Sequence, residues 1–151
     1  MKNISKKLDI IIADDDADDQ YLMQKGIWEL NLNHKITAVY NGIQLMDYLQ
    51  SKGMYKNSKD PKPDCIFLDL NMPLLNGTEA LKRMRNAGMN DIPVFILSTS
   101  KSPQEKNTLL SIGARGFYTK THEYPVLKQM ISEIIEEVYK INPGAEGSKA
   151  S

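Results

Sequence analysis

The sequence predicts a single α/β domain built on a parallel β-sheet with helices on both faces. Two observations lead to this fold class. Short apolar runs alternate with longer segments of helical periodicity, and such alternation is typical of parallel sheets, in which every connection is a crossover. The apolar runs are nearly continuous, which indicates strands buried on both faces. The length of 151 residues suits one domain of this kind.

Five apolar runs are predicted to be the strands, of which the last is the weakest. Their predicted bounds are residues 8–13, 36–40, 65–68, 94–97 and 116–119. A helical segment follows each run, and five such units favour the flavodoxin-like sheet with the strand order 2-1-3-4-5.

Helical spacing and end signals predict five helices. Asp16 is a candidate N-cap of the first helix, and Ser102 precedes Pro103 and the capping-box residue Glu105 at the start of the fourth. We expect Trp28 to pack in the core. The predicted bounds are residues 17–30, 43–52 with Gly53 as the C-cap, 78–87 before Gly88, 103 to Gly113, and 124–141 before Pro143.

The predicted domain spans residues 8–142, between an N-terminal extension of residues 1–7 and a disordered tail of residues 143–151. Within it, residues 54–63 form a polar segment with two prolines. This segment is longer than most loops in such folds.

Charge and cysteine content exclude several classes of protein. Lys+Arg and Asp+Glu are 19 each, so the chain lacks the basic excess of a stand-alone nucleic-acid-binding protein. Cys65 is the only cysteine, which rules out an intramolecular disulfide, and we expect it to be a small core residue. The apolar runs are too short to span a membrane, and the start of the chain lacks the features of a secretory signal. We therefore expect a cytoplasmic protein without direct nucleic-acid or membrane partners.

Polar side chains follow four of the five predicted strands. Asp14 and Asp15 end the first, Asp69 the third, Ser98 the fourth and Lys120 the fifth. Ligands of open α/β sheets bind beyond the carboxyl ends of the strands, so these side chains should meet at one rim.

The chemistry of this set favours phosphoryl transfer. Clustered carboxylates need a compensating cation, and Mg²⁺ prefers oxygen ligands. A lysine and a serine can bind phosphoryl oxygens, and a carboxylate can act as a nucleophile that forms an aspartyl phosphate.

This pattern resembles the receiver domain of bacterial two-component response regulators, over residues 8–141. The residues that carry the resemblance lie in order along the chain. They are Ile11-Ile12-Ala13-Asp14-Asp15-Asp16, Phe67-Leu68-Asp69-Leu70-Asn71-Met72-Pro73, Asn76-Gly77, Pro93-Val94-Phe95-Ile96-Leu97-Ser98 and Gly113-Ala114-Arg115-Gly116-Phe117-Tyr118-Thr119-Lys120.

The resemblance implies a metal site and a phosphoacceptor. Asp69 would accept the phosphoryl group and also face the metal. Asp15 would bind Mg²⁺ directly and Asp14 through water, and the backbone carbonyl of Asn71 would be the third protein ligand.

The resemblance also implies a switch. Ser98 would hold the phosphoryl group and move toward it on activation, and Lys120 would pair with the phosphate. Phe117 stands where the family has its switch aromatic.

Three residues depart from the family pattern. Thr121 follows Lys120 where the family has a proline after a cis peptide bond, and a cis bond before threonine costs about 2.5–4 kcal/mol, so we do not expect one. Phe117 lacks a hydroxyl group, so its switching would depend on packing. Thr99 is bulkier than the usual small residue, which bears on phosphate access and the rate of dephosphorylation.

The function that the resemblance implies is that of a stand-alone response regulator. A sensor histidine kinase or a histidine phosphotransfer protein would donate phosphoryl to Asp69, with Mg²⁺ bound. The signal would be phosphorylation-dependent binding of a downstream protein by the face of helix four, strand five and helix five. Such a switch catalyses only its own phosphorylation and dephosphorylation, and a homodimer is compatible with it. The segment of residues 54–63 favours phytochrome-associated receivers over the chemotaxis type.

Three alternatives stay open at this point. The first is a scaffold with a silent site, which Thr99 and Thr121 leave open. The second is a Mg²⁺-dependent phosphohydrolase, against which Asn71 argues because small aspartate-nucleophile hydrolases have an acid there. The third is a flavodoxin, although acids stand where its phosphate loop would follow the first strand.

Four further residues receive ordinary structural interpretations. Asp18 and Asp19 are expected to be acids favoured by the dipole at the start of the first helix. His34 and His122 are expected to lie on the surface.

Overall fold

The computed structural model describes residues 7–31, 33–56 and 62–141. Its five strands are parallel and form one sheet in the order β2-β1-β3-β4-β5, which confirms the predicted fold class. The strands are β1 (Asp9–Ala13), β2 (Lys35–Val39), β3 (Cys65–Asp69), β4 (Val94–Ser98) and β5 (Gly116–Thr119).

Five helices follow the strands in turn, and a 3₁₀ turn, Gly53–Tyr55, follows the second helix. The helices are α1 (Ala17–Leu30), α2 (Gly42–Gln50), α3 (Gly77–Asn86), α4 (Pro103–Ile112) and α5 (Tyr124–Ile141). The predicted extension up to residue 6, the predicted tail and residues 57–61 of the polar segment lie outside the described residues. Among the helices of the described ranges, none is long and apolar enough to cross a membrane.

Short polar side chains fix the starts of four helices. Asp16 and Ser102 cap α1 and α4 as predicted, by accepting the backbone N–H groups of Asp19 and Glu105. Caps of this kind contribute about 1 kcal/mol each. Asn41 and Asn76 do the same for α2 and α3.

The predicted end of α2 is wrong by two residues. The helix ends at Gln50, and its C-cap is Ser51 in the left-handed conformation (φ 55°), not Gly53. Gly53 instead begins the 3₁₀ turn, also with a positive φ of 56°. The helix therefore ends before the predicted C-cap, Gly53.

Helices cover both faces of the sheet, as the continuous apolar strands predicted. On one face, Ile11, Ile66 and Ile96 pack in a cluster with side chains of α2, α3 and α4. On the other, Phe67 and Phe95 pack with side chains of α1 and α5. Strands β3 and β4 are buried along their whole length, and β1 from its second residue. Cys65 is a buried core residue, as predicted.

Two predictions at the amino end of the sheet are wrong. His34 is 5% exposed, and its Nδ1 accepts the backbone N–H of Leu8 at 3.0 Å. Trp28, expected in the core, is 38% exposed, and its indole N–H donates to the carbonyl of His34. The imidazole is buried because the N–H of the residue before β1 needs an acceptor there.

Because all five strands are parallel, their carboxyl ends lie along one edge of the sheet. That edge carries Asp14, Asp69, Ser98 and Lys120, each at or directly after the last residue of its strand. The fold therefore places the predicted site residues at one rim.

Candidate functional site

Three carboxylates come together at this rim. One oxygen each of Asp14, Asp15 and Asp69 lies within 4.8 Å of the other two. Asp14 and Asp69 are 4% and 5% exposed, whereas Asp15 is exposed to solvent. Carboxylate oxygens at such separations are the ligands that hard divalent cations take. The residues present therefore fit a divalent metal, with one side open to water.

Burial disfavours the ionised forms of the carboxylates of Asp14 and Asp69. Burial, together with the charge of Asp14, raises the pKa of Asp69 to about 6, although Lys120 and the backbone N–H of Asn71 oppose the shift. Burial also raises the pKa of Asp14, against hydrogen bonds from the Asp16 N–H and from Lys120. A bound divalent cation would relieve this repulsion, because an opposite charge favours the ionised form.

Lys120 lies among the carboxylates. Its Nζ is 3.0 Å from Asp14 Oδ2 and 3.4 Å from Asp69 Oδ1. A third carboxylate, Asp19, is nearest, with its Oδ2 at 2.8 Å. Burial disfavours the ammonium, but the hydrogen bonds to Asp19 and Asp14 outweigh it and raise the pKa of Lys120. The side chain is therefore cationic and directed into the site.

Ser98, at the end of β4, is 1% exposed. Its hydroxyl accepts the N–H of Ser100, and its carbonyl accepts the N–H of Lys120 at 2.9 Å, which ties the ends of β4 and β5 together. Thr99 is exposed beside it. Strand β4 thus places a buried hydroxyl group at the rim.

The remaining predicted residues surround the rim, Asn71 and Thr121 in loops and Phe117 in β5. Asn71 is exposed, and its backbone N–H is hydrogen-bonded to the Asp69 carboxylate. Phe117 is half-buried against the core of the α2–α4 face. The peptide before Thr121 is not cis, as expected, and the Thr121 hydroxyl accepts the N–H of Glu123.

Gly77 explains the Asn76-Gly77 motif. A Cβ atom at Gly77 would lie 2.5 Å from the carbonyl oxygen of Asp69, so a side chain there would collide with the backbone that carries the acceptor. The Gly77 N–H also donates to the carbonyl of Leu70 at 2.9 Å. The start of α3 therefore packs directly on the end of β3.

Two residues of α1 belong to the site, although the sequence pattern predicted only a helix-dipole role for Asp19 and no role for Gln20. Asp19 binds Lys120, and the Nε2 of Gln20, a residue 2% exposed, lies within hydrogen-bond distance of the carbonyls of Ile12, Asp14 and Val39. Gln20 thereby joins the ends of β1 and β2. Their position in the sequence could have identified them, because polar residues in the first turn of a helix that begins at the rim lie near the site.

The chain is similar to known receiver proteins over most of its length. The model of the family "Response regulator receiver domain" matches residues 10–132. Response regulator Rcp1 of Synechocystis sp. is 29% identical over 126 residues, which are 83% of this chain and 84% of Rcp1. Several other curated relatives are longer, and the chain spans 47% or less of them.

Solved structures agree with the sequence comparisons. The phosphorylated cyanobacterial phytochrome response regulator RcpA has a TM-score of 0.80 and 27% identity, with 94% of this chain and 99% of RcpA covered. The Mn²⁺-bound form of Rcp1 has a TM-score of 0.77 and 27% identity, with 93% of this chain and 99% of Rcp1 covered. The chain belongs to the response regulator receiver domain family.

Proposed function

We propose that this receiver is a phosphorylation switch whose acceptor is Asp69. One observation carries the proposal: the buried Asp69 carboxylate belongs to an acidic cluster that fits a divalent metal, and its Oδ1 lies 3.4 Å from the ammonium of Lys120. A nucleophile flanked by a metal site and a fixed cation is the arrangement that phosphoryl transfer to a carboxylate requires.

The proposed donor is a sensor histidine kinase or a histidine phosphotransfer protein. A carboxylate oxygen of Asp69 attacks the phosphorus atom, and the bond from phosphorus to the donor histidine nitrogen breaks. Lys120 then pairs with one phosphoryl oxygen, and the Ser98 hydroxyl donates a hydrogen bond to another.

The proposed metal is Mg²⁺, held by carboxylates of Asp14, Asp15 and Asp69 and by the carbonyl of Asn71. When bound, it neutralises charge on the phosphoryl oxygens. Support comes from the oxygen-only donor set of the cluster and from the Mn²⁺-bound form of the relative Rcp1.

The proposed output is a changed protein-binding face. Ser98 and Phe117 lie on the adjacent strands β4 and β5, with Ile96 paired to Phe117 and Ser98 to Thr119. Movement of Ser98 toward a phosphoryl group would therefore disturb the packing of Phe117 and the α4–β5–α5 face. Binding of a downstream protein, or of a second copy of the chain, would follow from that change.

The relatives favour a role in light signalling, and we propose the cytoplasm as the location of the protein. RcpA is a phytochrome response regulator, and both RcpA and Rcp1 are covered almost completely by this chain. We therefore propose a phytochrome-type histidine kinase as the donor. The polar segment after α2 was the sequence feature that pointed the same way.

The test is the intact mass of the protein after incubation with acetyl phosphate and Mg²⁺. We expect one phosphoryl adduct in the wild type, and none in Asp69→Asn or after metal removal. Glu136→Gln, which changes an exposed acid of α5, is the matched control and should match the wild type. No adduct in a folded wild type would contradict the proposal and favour a silent scaffold, and sustained hydrolysis of a small phosphomonoester would favour a phosphohydrolase.

A further inference from the structure

Asp19 has both of its carboxylate oxygens engaged by residues from the segment between β5 and α5. Its Oδ2 lies 2.8 Å from Lys120 Nζ, and its Oδ1 lies 2.9 Å from Nε2 of His122. The Asp19 side chain is only 11% exposed, whereas that of His122 is 76% exposed. Asp19 thus connects the first turn of α1 to residues about a hundred positions later in the chain.

The helix dipole does not explain this placement. An acid that only complements the dipole at a helix start gains from it while remaining solvated. Asp18 has that role, because it lies in the same first turn and is exposed. Asp19 instead gives up most of its hydration, which is costly unless specific partners replace the water.

Three carboxylates share the ammonium of Lys120, and they do so unequally. The Nζ distances are 2.8 Å to Asp19, 3.0 Å to Asp14 and 3.4 Å to Asp69. An ammonium has three hydrogens, so each carboxylate can take one. The longest contact is the one to the proposed phosphoacceptor. The lysine is therefore held closer to Asp19 of α1 than to Asp69, where a phosphoryl group would form.

We propose that Asp19 is a positioning residue that holds the Lys120 ammonium in the resting protein and competes with the incoming phosphoryl group for it. This inference rests on the proposed function of Asp69. When phosphoryl is transferred, Lys120 loosens its contact with Asp19 and moves to a phosphoryl oxygen. Asp19 therefore slows phosphorylation and keeps the unmodified receiver in its resting arrangement.

The first test is the rate of phosphorylation by limiting acetyl phosphate at saturating Mg²⁺, followed by intact mass. Asp19→Asn removes the competitor but keeps the shape, and we expect it to react about two- to fivefold faster than the wild type, the effect of one partly exposed ion pair. Asp18→Asn removes the same charge one residue away and should stay near the wild-type rate. Asp19→Glu, which keeps a carboxylate, should restore the slow rate.

The second test observes Lys120 itself and needs no phosphorylation. The side-chain ammonium signals of ¹⁵N-labelled lysine are recorded by NMR, and Lys120→Arg identifies the signal of Lys120. We expect Asp19→Asn to shift this signal and to speed its exchange with water, and Asp18→Asn to leave it unchanged. Thermal unfolding of each variant shows whether a change reflects lost stability instead.

The outcomes separate this proposal from the proposed function. A wild type that takes no phosphoryl group contradicts the role of Asp69, and the NMR test then judges the position of Lys120 alone. A phosphorylated wild type whose Asp19→Asn variant reacts no faster than Asp18→Asn overturns the competition. An unchanged Lys120 signal in Asp19→Asn overturns the positioning role in either case.

Discussion

The two ends of the sheet differ in what their polar side chains contact. At the amino end, three polar side chains satisfy backbone groups. His34 accepts the N–H of Leu8, and Asp64 accepts the N–H of Asp9 at 2.8 Å. Arg85 donates to the carbonyls of Met89, Ile92 and Gly113.

At the carboxyl end, Gln20 and Ser98 also satisfy backbone groups, but the buried carboxylates repel one another. Asp14 and Asp69 are buried side by side and both have raised pKa values, and one lysine is divided among three carboxylates. The hydrogen bonds at the amino end of the sheet thus stabilise the fold. The other end stores unfavourable charge that a cation and a phosphoryl group can relieve.

The largest expected effect comes from removing that stored charge. Asp69→Asn should raise the free energy of unfolding in metal-free buffer at pH 7.5 by about 1–3 kcal/mol, since one pKa unit corresponds to about 1.4 kcal/mol. The pKa of Asp69 in the folded protein, about 6, lies above its unfolded value, so its cost to folding appears as the pH rises from about 4 to 6.

Urea denaturation at several pH values measures this difference. The gap between Asp69→Asn and the wild type should be small at pH 4 and constant above about pH 7. Glu136→Gln should not produce a gap at any pH. If Asp69→Asn is less stable than the wild type at pH 7.5, the ionised Asp69 carboxylate does not destabilise the folded protein.

A smaller effect is expected from the amino end. Arg85→Ala leaves several carbonyl groups without a charged donor and should lower the free energy of unfolding by about 1 kcal/mol. The rate of phosphorylation by acetyl phosphate should be unchanged, because Arg85 lies at the opposite end of the sheet from Asp69. Arg83→Ala, an exposed change in the same helix, is the control and should be nearly neutral. A loss of phosphorylation in Arg85→Ala would mean that the two ends are coupled.

The smallest expected effect is the pH dependence contributed by His34. Burial lowers the pKa of His34, against the charge of Asp64, so the folded protein binds a proton less readily than the unfolded chain. The contribution of His34 to the free energy of unfolding should therefore be fully present above the unfolded pKa of about 6.5. It should decrease as the pH drops below that value. The difference in unfolding free energy between wild type and His34→Gln, measured from pH 5 to 8, reports this contribution. A pH-independent difference for His34→Gln would refute the assignment.

Most of the fold was predictable because it depends on local patterns. Continuous apolar runs identified β1, β3 and β4, and the helix N-caps Asp16 and Ser102 were readable from short-range chemistry. The end of α2 was not readable, because Ser51 takes a left-handed conformation that nothing in the residue type requires.

The site was predictable in part for the same reason. Residues that end a buried strand are marked by the strand before them, which is why Asp14, Asp69 and Ser98 could be named. Asp19 and Gln20 carry no such mark, since a polar residue in the first turn of a helix is ordinary. His34 was misplaced because its environment depends on Leu8, on the other side of α1 in the chain. Trp28 was misplaced because its indole N–H bonds the carbonyl of His34, beyond the end of α1.

The alternation of strands and helices, the N-caps Asp16 and Ser102 and the residue types that face the rim are encoded locally in the sequence. These follow from hydrophobic periodicity and from hydrogen bonds within a few residues. Which of those residues are in contact depends on how the elements pack in three dimensions. Lys120 reaches Asp19 before Asp69, and His34 meets Leu8. Contacts between distant segments depend on distances of a few ångströms across packed elements, and no local pattern of residues encodes those distances.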